Sequence, residues 1–97
     1  MAPLNANKNI AGRRIKEARR KFSPTLTQDE LSGKLATLGV VVDRAAIAKI
    51  ENGIRCVYDF ELGALAAALK TDVRWLLGIV DTRASLDSKT RPRRSRK

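Results

Sequence analysis

Two long cationic side chains one helical turn apart, with only methyl groups between them, make a surface that a grooved polyanion can approach closely. Arg44, Ala45, Ala48 and Lys49 have that arrangement. At about 100° per residue these four occupy an arc of about 0 to 140°, whereas Ile47 and Ile50 lie at about 240 to 300°. One side of the segment is therefore core and the other is open. Arg and Lys suit the O6 and N7 acceptors of guanine, and an alanine methyl packs on a thymine methyl, so the arc has the composition of a major-groove reading face. Other chemistries are poorly served. The chain has no His and one Cys, no Gly-rich phosphate loop and no nucleophile beside a base. No enzyme, metal or cofactor is expected. Glu51 and Asp43 are assigned no catalytic role. Cys56 has no partner for an internal disulfide, which fits a reducing compartment, and it is expected as a small apolar filler.

The elements that position this face follow from periodicity. Met1 to Asn9 has none and reads as a loose arm, 1–9. From Ile10, the residues Ala11, Ile15, Ala18 and Phe22 form one apolar stripe on a first helix that Ser23-Pro24 ends. Thr27-Gln28-Asp29-Glu30 is a capping box with Leu26 placed to staple against Leu31, so a second helix starts at Gln28. Leu31, Leu35 and Leu38 are its expected buried stripe, and Gly39 its left-handed cap. Val40, Val41 and Val42 have no evident sheet partner and read as a buried turn. Asp43 caps the third helix, which runs through Glu51 and stops at Asn52-Gly53. Ile54 to Tyr58 is a connector. Asp59 is expected to cap a fourth helix with Leu62, Leu65, Ala66 and Leu69 on one face, and Asp72 a short fifth containing Val73, Trp75, Leu76 and Leu77 before Gly78. The fold class is thus all-α, with a five-helix domain over 10–78. Residues 79–97, rich in Ser, Thr, Arg and Lys, read as a disordered basic tail.

Charge is unevenly spread. Twenty Lys and Arg against ten Asp and Glu give +10 over 97 residues, which implies a polyanionic partner. Ile10 to Val80 carries 12 basic and 8 acidic residues, while Asp81 to Lys97 carries 7 basic and 2 acidic. The domain is moderately basic and half the excess lies in the tail. No apolar run approaches the roughly 18 residues of a membrane span, and the opening residues lack the apolar stretch of a signal peptide, so a soluble, unexported, cytoplasmic protein without membrane contact is expected.

Leu26-Thr27-Gln28-Asp29-Glu30-Leu31 followed by Ile47-Ala48-Lys49-Ile50-Glu51-Asn52-Gly53 resembles the phage repressor and Cro-like (Xre-type) helix-turn-helix family, and Trp75-Leu76-Leu77-Gly78 resembles it as well. The similarity covers about Ile10 to Gly78. It implies a lambda-repressor-like domain with helices two and three as the helix-turn-helix. In such a domain helix two lies across the DNA backbone, with Thr27 and Gln28 near phosphate, and helix three enters the major groove. Arg44, Ala45 and Lys49 match base-contacting positions, Asn52 and Arg55 match phosphate-contacting ones, and Arg19 with Glu51 matches a structural ion pair. The turn from Thr37 to Val42 is longer than the family's usual one by roughly five residues, and the connector before Thr27 lacks the family's usual Gly. Both fit a long-turn variant. The resemblance further implies a repressor-type regulator of phage or mobile-element character, binding an inverted repeat as a homodimer without a cofactor. Trp75 and Leu76 are expected to complete the core and to contact the second copy.

The competing reading is an antitoxin or protein-bridging factor, which uses the same fold for a protein partner such as a toxin; an antirepressor is a further protein partner the regulator reading admits. A membrane-surface or RNA-binding role is weaker, because the aromatic platforms that single strands favour are scarce. The tail is read as a nonspecific DNA arm that adds phosphate contacts. A chain ending at Val80 should therefore bind more weakly than the full chain yet select the same DNA motif from a random duplex pool.

Overall fold

Each helix starts and stops where side chains satisfy its end groups. The computed structural model describes residues 7–81, and the parts of the expected arm and tail at 1–6 and 82–97 lie outside the described residues. Five helices follow in chain order: α1 (Gly12–Lys21), α2 (Gln28–Thr37), α3 (Arg44–Glu51), α4 (Asp59–Leu69) and α5 (Val73–Leu76). There is no strand among the described residues.

The α2 start is a reciprocal capping box. Thr27 Oγ1 accepts from Glu30 N at 3.0 Å and Glu30 Oε1 accepts from Thr27 N at 2.8 Å, with Leu26 and Leu31 both buried beside it. Asp43 Oδ1 accepts from Ala46 N at 2.8 Å and opens α3. The ends are equally regular. Gly39 and Gly53, at φ 82° and 76°, reverse the chain after α2 and α3. Val40 N donates to Leu35 O and Ile54 N to Lys49 O, the six-to-one bond of a Schellman ending. Lys70 takes the same left-handed position after α4, at φ 55°, where a side chain costs about 1 kcal/mol or more.

The core is formed by Ile15, Leu31, Leu35, Ile47, Ile50, Leu65 and Leu76, all fully enclosed. α3 packs against α1 and α2, α4 against α1 and α2, and α5 closes over α1 and α4. Trp75 is 4% exposed. Its ring lies under the Arg14 guanidinium at 4.9 Å, and Arg14 Nη1 donates to Trp75 O at 2.8 Å and Val80 O at 3.2 Å.

Several expectations are corrected. Leu38 is 49% exposed instead of buried, because α2 has ended and the turn at Gly39 carries it outward. Only Val42 of the three valines is buried, and Val41 is 89% exposed. Asp59 is the first residue of α4 and not its cap; Tyr58 precedes the helix, and Glu61 accepts from Tyr58 N at 3.0 Å. Trp75 and Leu76 are enclosed within this chain, so their expected contact with a second copy has no exposed surface to use. The domain also extends beyond 10–78. Lys8 N donates to Gly53 O at 2.7 Å, and Val80 is held by Arg14 and packs on the core.

Asn9 makes the first of these extensions. Its Oδ1 accepts from Ala11 N and Gly12 N, at 3.0 and 2.6 Å, while its Nδ2 donates to Ile50 O at 3.0 Å and Arg55 O at 2.8 Å. One amide thus caps the start of α1 and the end of α3. The two backbones meet so closely that a Cβ on Gly12 would collide with the Ile50 carbonyl oxygen, whereas a Cβ on Gly33 would meet nothing within 4 Å. Gly12→Ala should therefore lose about 1 to 3 kcal/mol through overpacking, and Gly33→Ala should gain about 0.4 to 1 kcal/mol by restricting the unfolded chain. Urea midpoints of the two variants should move in opposite directions.

Candidate functional site

The buried side of α3 fixes which way its other side faces. Ile47 and Ile50 are enclosed, so Arg44, Ala45 and Lys49 are exposed and Ala48 is half-buried between them. The four residues form one continuous outward surface. Arg44 comes within 3.9 Å of Asp29 at the start of α2, but both side chains are largely exposed. Such a pair contributes only about 0.2 to 1 kcal/mol, so Arg44 is easily released to another anion.

The orientation of α3 is set by a buried cluster at its last residue. Arg19 Nε donates to Glu51 Oε2 at 2.7 Å and Arg19 Nη2 to Glu51 Oε1 at 3.0 Å, a two-pronged pair. The Glu51 side chain is 2% exposed. Gln28 Nε2 adds a third donor to Glu51 Oε1 at 3.0 Å, and Arg19 Nη1 donates to Leu26 O at 2.9 Å. The cluster thereby joins α1, the start of α2 and the end of α3.

Two residues expected at the outer surface are turned inward. The Gln28 side chain is half-buried and committed to Glu51; as the first residue of α2 it points across the turn towards the end of α3. Arg55 is bound to Glu61 through Nη1–Oε1 and Nη2–Oε2, each 3.0 Å, and donates to Cys56 O at 2.8 Å. The Arg55 guanidinium holds the Glu61 carboxyl below the ordinary carboxylate range, against the opposing effect of burial and with help from Tyr58 N, and Glu61 in turn raises Arg55. Asn52 and Thr27 are exposed, though Thr27 Oγ1 already serves as a cap. Cys56 is exposed on the connector and fills no core space.

Sequence reasoning overlooked Asn9 and Glu61. Asn9 stands three residues before α1, and an Asn just ahead of an apolar stripe is a recognisable helix-start signal, so Asn9 was open to detection. The pairing of Arg55 with Glu61 follows no helical spacing. Among the described residues no group of His, Cys, Asp or Glu is arranged to hold a metal, and no helix is long and apolar enough to cross a membrane. Compared with known proteins, the chain matches no protein family, no curated protein and no solved structure.

Glu61 is charged in the fold at pH values where it is already protonated in the unfolded chain, so its pair stabilises above pH of about 4.3 and is lost as pH falls further. Glu61→Gln should cost about 1 to 3 kcal/mol at neutral pH by leaving Arg55 short of its acceptor. Denaturation at stepwise lower pH should show the difference from the parent chain closing below about pH 4.

Proposed function

We propose that this protein is a sequence-specific regulator that binds double-stranded DNA through a lambda-repressor-like helix-turn-helix made of α2 and α3. The observation that carries the reading is the outward face of α3. It pairs two unburied cations, Arg44 and Lys49, with the small residues Ala45 and Ala48, on a helix whose opposite side is wholly enclosed. A helix with that cross-section fits the major groove, and its long side chains reach base edges while its methyls allow close approach.

In this reading Arg44, Ala45 and Lys49 contact bases. Asn52, just past the end of α3, and Thr27, at the start of α2, lie where phosphates flank the groove. Gln28 contributes its main-chain N–H at the α2 N-terminus, because its side chain belongs to Glu51. Arg55 supports the connector from within instead of meeting phosphate. The six residues between Thr37 and Arg44 form a longer turn than the family usually has, and Schellman geometry at Gly39 closes it. Binding as a dimer to an inverted repeat would place two α3 helices about 34 Å apart, with a contact surface other than Trp75 and Leu76.

A second reading, partner binding in the manner of an antitoxin or bridging factor, draws support from Tyr58 and Phe60. Their rings stack at 5.9 Å with an angle of 9° between planes, and both residues are about three-fifths exposed.

Selection of the purified chain against random duplex DNA at near-physiological salt separates the two. An enriched inverted repeat is expected, and retention without any motif would bring the protein-partner reading forward. On the selected site Lys49→Ala should lose about 1 to 3 kcal/mol of binding and relax one base position in each half-site. A uniform loss across sequences would make Lys49 a phosphate contact.

A further inference from the structure

α1 carries more positive charge than its own stability can use. Six of its ten residues are Arg or Lys and one is Glu. Arg14 and Arg19 turn inward, to Trp75 O and Val80 O and to Glu51 respectively. Lys21 pairs with Glu17 at 3.4 Å on the surface. Arg13, Lys16 and Arg20 remain, and their side chains have no hydrogen-bonded or ion-paired partner among the described residues. They stand at i, i+3 and i+7, on the side of the helix opposite Ala11, Ile15 and Ala18, which places them in one row.

That row is unfavourable for folding. Lys16 and Arg20 repel each other at i, i+4. The first turn holds no acidic residue, and Arg13 sits where the helix dipole disfavours a cation. Like charges gathered against these local preferences are accounted for by an anion outside the chain.

The place for that anion is also present. Arg13, Lys16, Glu17, Arg20 and Lys21 line an open groove of about 1020 Å³ whose far wall includes Asn52. Asn52 follows directly on α3, so the groove begins at the end of the helix proposed to read bases and runs along α1. Glu51, at the junction, is already neutralised by Arg19. The seven charged lining residues, Arg14 and Glu51 included, sum to +3, five cations against two carboxylates.

We infer that the outer face of α1 is a second DNA contact, in which Arg13, Lys16 and Arg20 bind backbone phosphates of the duplex flanking the bases that α3 reads. This rests on the duplex-binding reading of α3. Arg13 to Arg20 spans about 10 Å of helix, and a DNA strand carries one charge per about 3.4 Å of axis, so the row faces about three phosphates. Because phosphates are alike at every base pair, the contact adds affinity and salt sensitivity without adding sequence preference.

The test uses the full chain, its Arg13→Gln/Lys16→Gln/Arg20→Gln variant, and two duplexes of equal length, one bearing the selected site and one scrambled, titrated by fluorescence anisotropy over a series of NaCl concentrations. The variant should bind both duplexes more weakly by the same factor. Its plot of log K against log salt should be shallower by about 2 to 3, at about 0.9 per phosphate lost. A charge-retaining variant, Arg13→Lys/Lys16→Arg/Arg20→Lys, should keep the parent slope, which separates loss of charge from loss of fold, and thermal melting of the Gln variant should be at or above that of the parent. Undiminished binding and slope in the Gln variant, with the parent chain binding normally, would overturn the α1 contact and leave the α3 reading intact. Absence of duplex binding by the parent chain would overturn both.

Discussion

The buried carboxylate of Glu51 is the constraint on which the arrangement depends. A charge enclosed to this degree must be matched by donors, and it has three, two from Arg19 and one from Gln28. Because Arg19 also donates to Leu26 O, the same guanidinium fixes the segment just before α2. Hydrophobic packing alone would permit α3 to slide or roll on α1 and α2 with little penalty. A two-pronged guanidinium–carboxylate pair has one good geometry, and removing either partner from such a buried pair costs about 3 to 5 kcal/mol. The pair therefore acts as a register pin for α3, whatever its net contribution to stability.

The pin works with other fixings at the two ends of α3. Asp43 caps the start, and the Asn9 amide holds the Ile50 carbonyl near the end. Asn9 can reach both helices only because Gly12 lets the α1 backbone lie against Ile50. An eight-residue helix is too short to be stable by itself, and its outward face, made of two cations and two alanines, supplies no packing. Rigidity on that face has to be imported from the end groups, and the structure supplies it with a cap, an ion pair and an amide clamp.

A division of labour among the cations follows. Arg14, Arg19 and Arg55 bind inward to carbonyls or carboxylates, where a planar guanidinium can satisfy several acceptors at once, and the exposed Arg74 covers the Asp72 carboxylate from outside. Asp72 illustrates the effect: its carboxyl caps α5, and the Arg74 guanidinium holds it below the ordinary carboxylate range. Among the cations left outward, Arg44 and Lys49 on α3 and Arg13, Lys16 and Arg20 on α1 lie on either side of Asn52, whereas Lys8, Lys70 and Arg74 are exposed elsewhere. The outward charge on α3 and α1 is thus a localised subset of the overall +10.

Local chemistry set where α2 and α3 begin and end. The capping box at Thr27, the cap at Asp43, and the glycines at 39 and 53 act within a few residues of themselves, and α2 and α3 begin and end where those signals put them. The apolar period of α3 likewise fixed which residues face out, because Ile47 and Ile50 must be buried in any fold that uses the helix. The sequence also identified Arg19 and Glu51 as a pair by resemblance, although no spacing rule links residues so far apart. Only the tertiary structure decided the fate of Gln28 and Arg55, which carry the residue types of phosphate contacts but find carboxylates nearer than any solvent-facing position. It alone enclosed Trp75 and Leu76, brought Asn9 to the end of α3, and joined the α1 row to Asn52. The physical reason is common to all of these. Hydrogen bonds and ion pairs act over a few ångströms in space, and residues distant along the chain come within that range only once the core has packed.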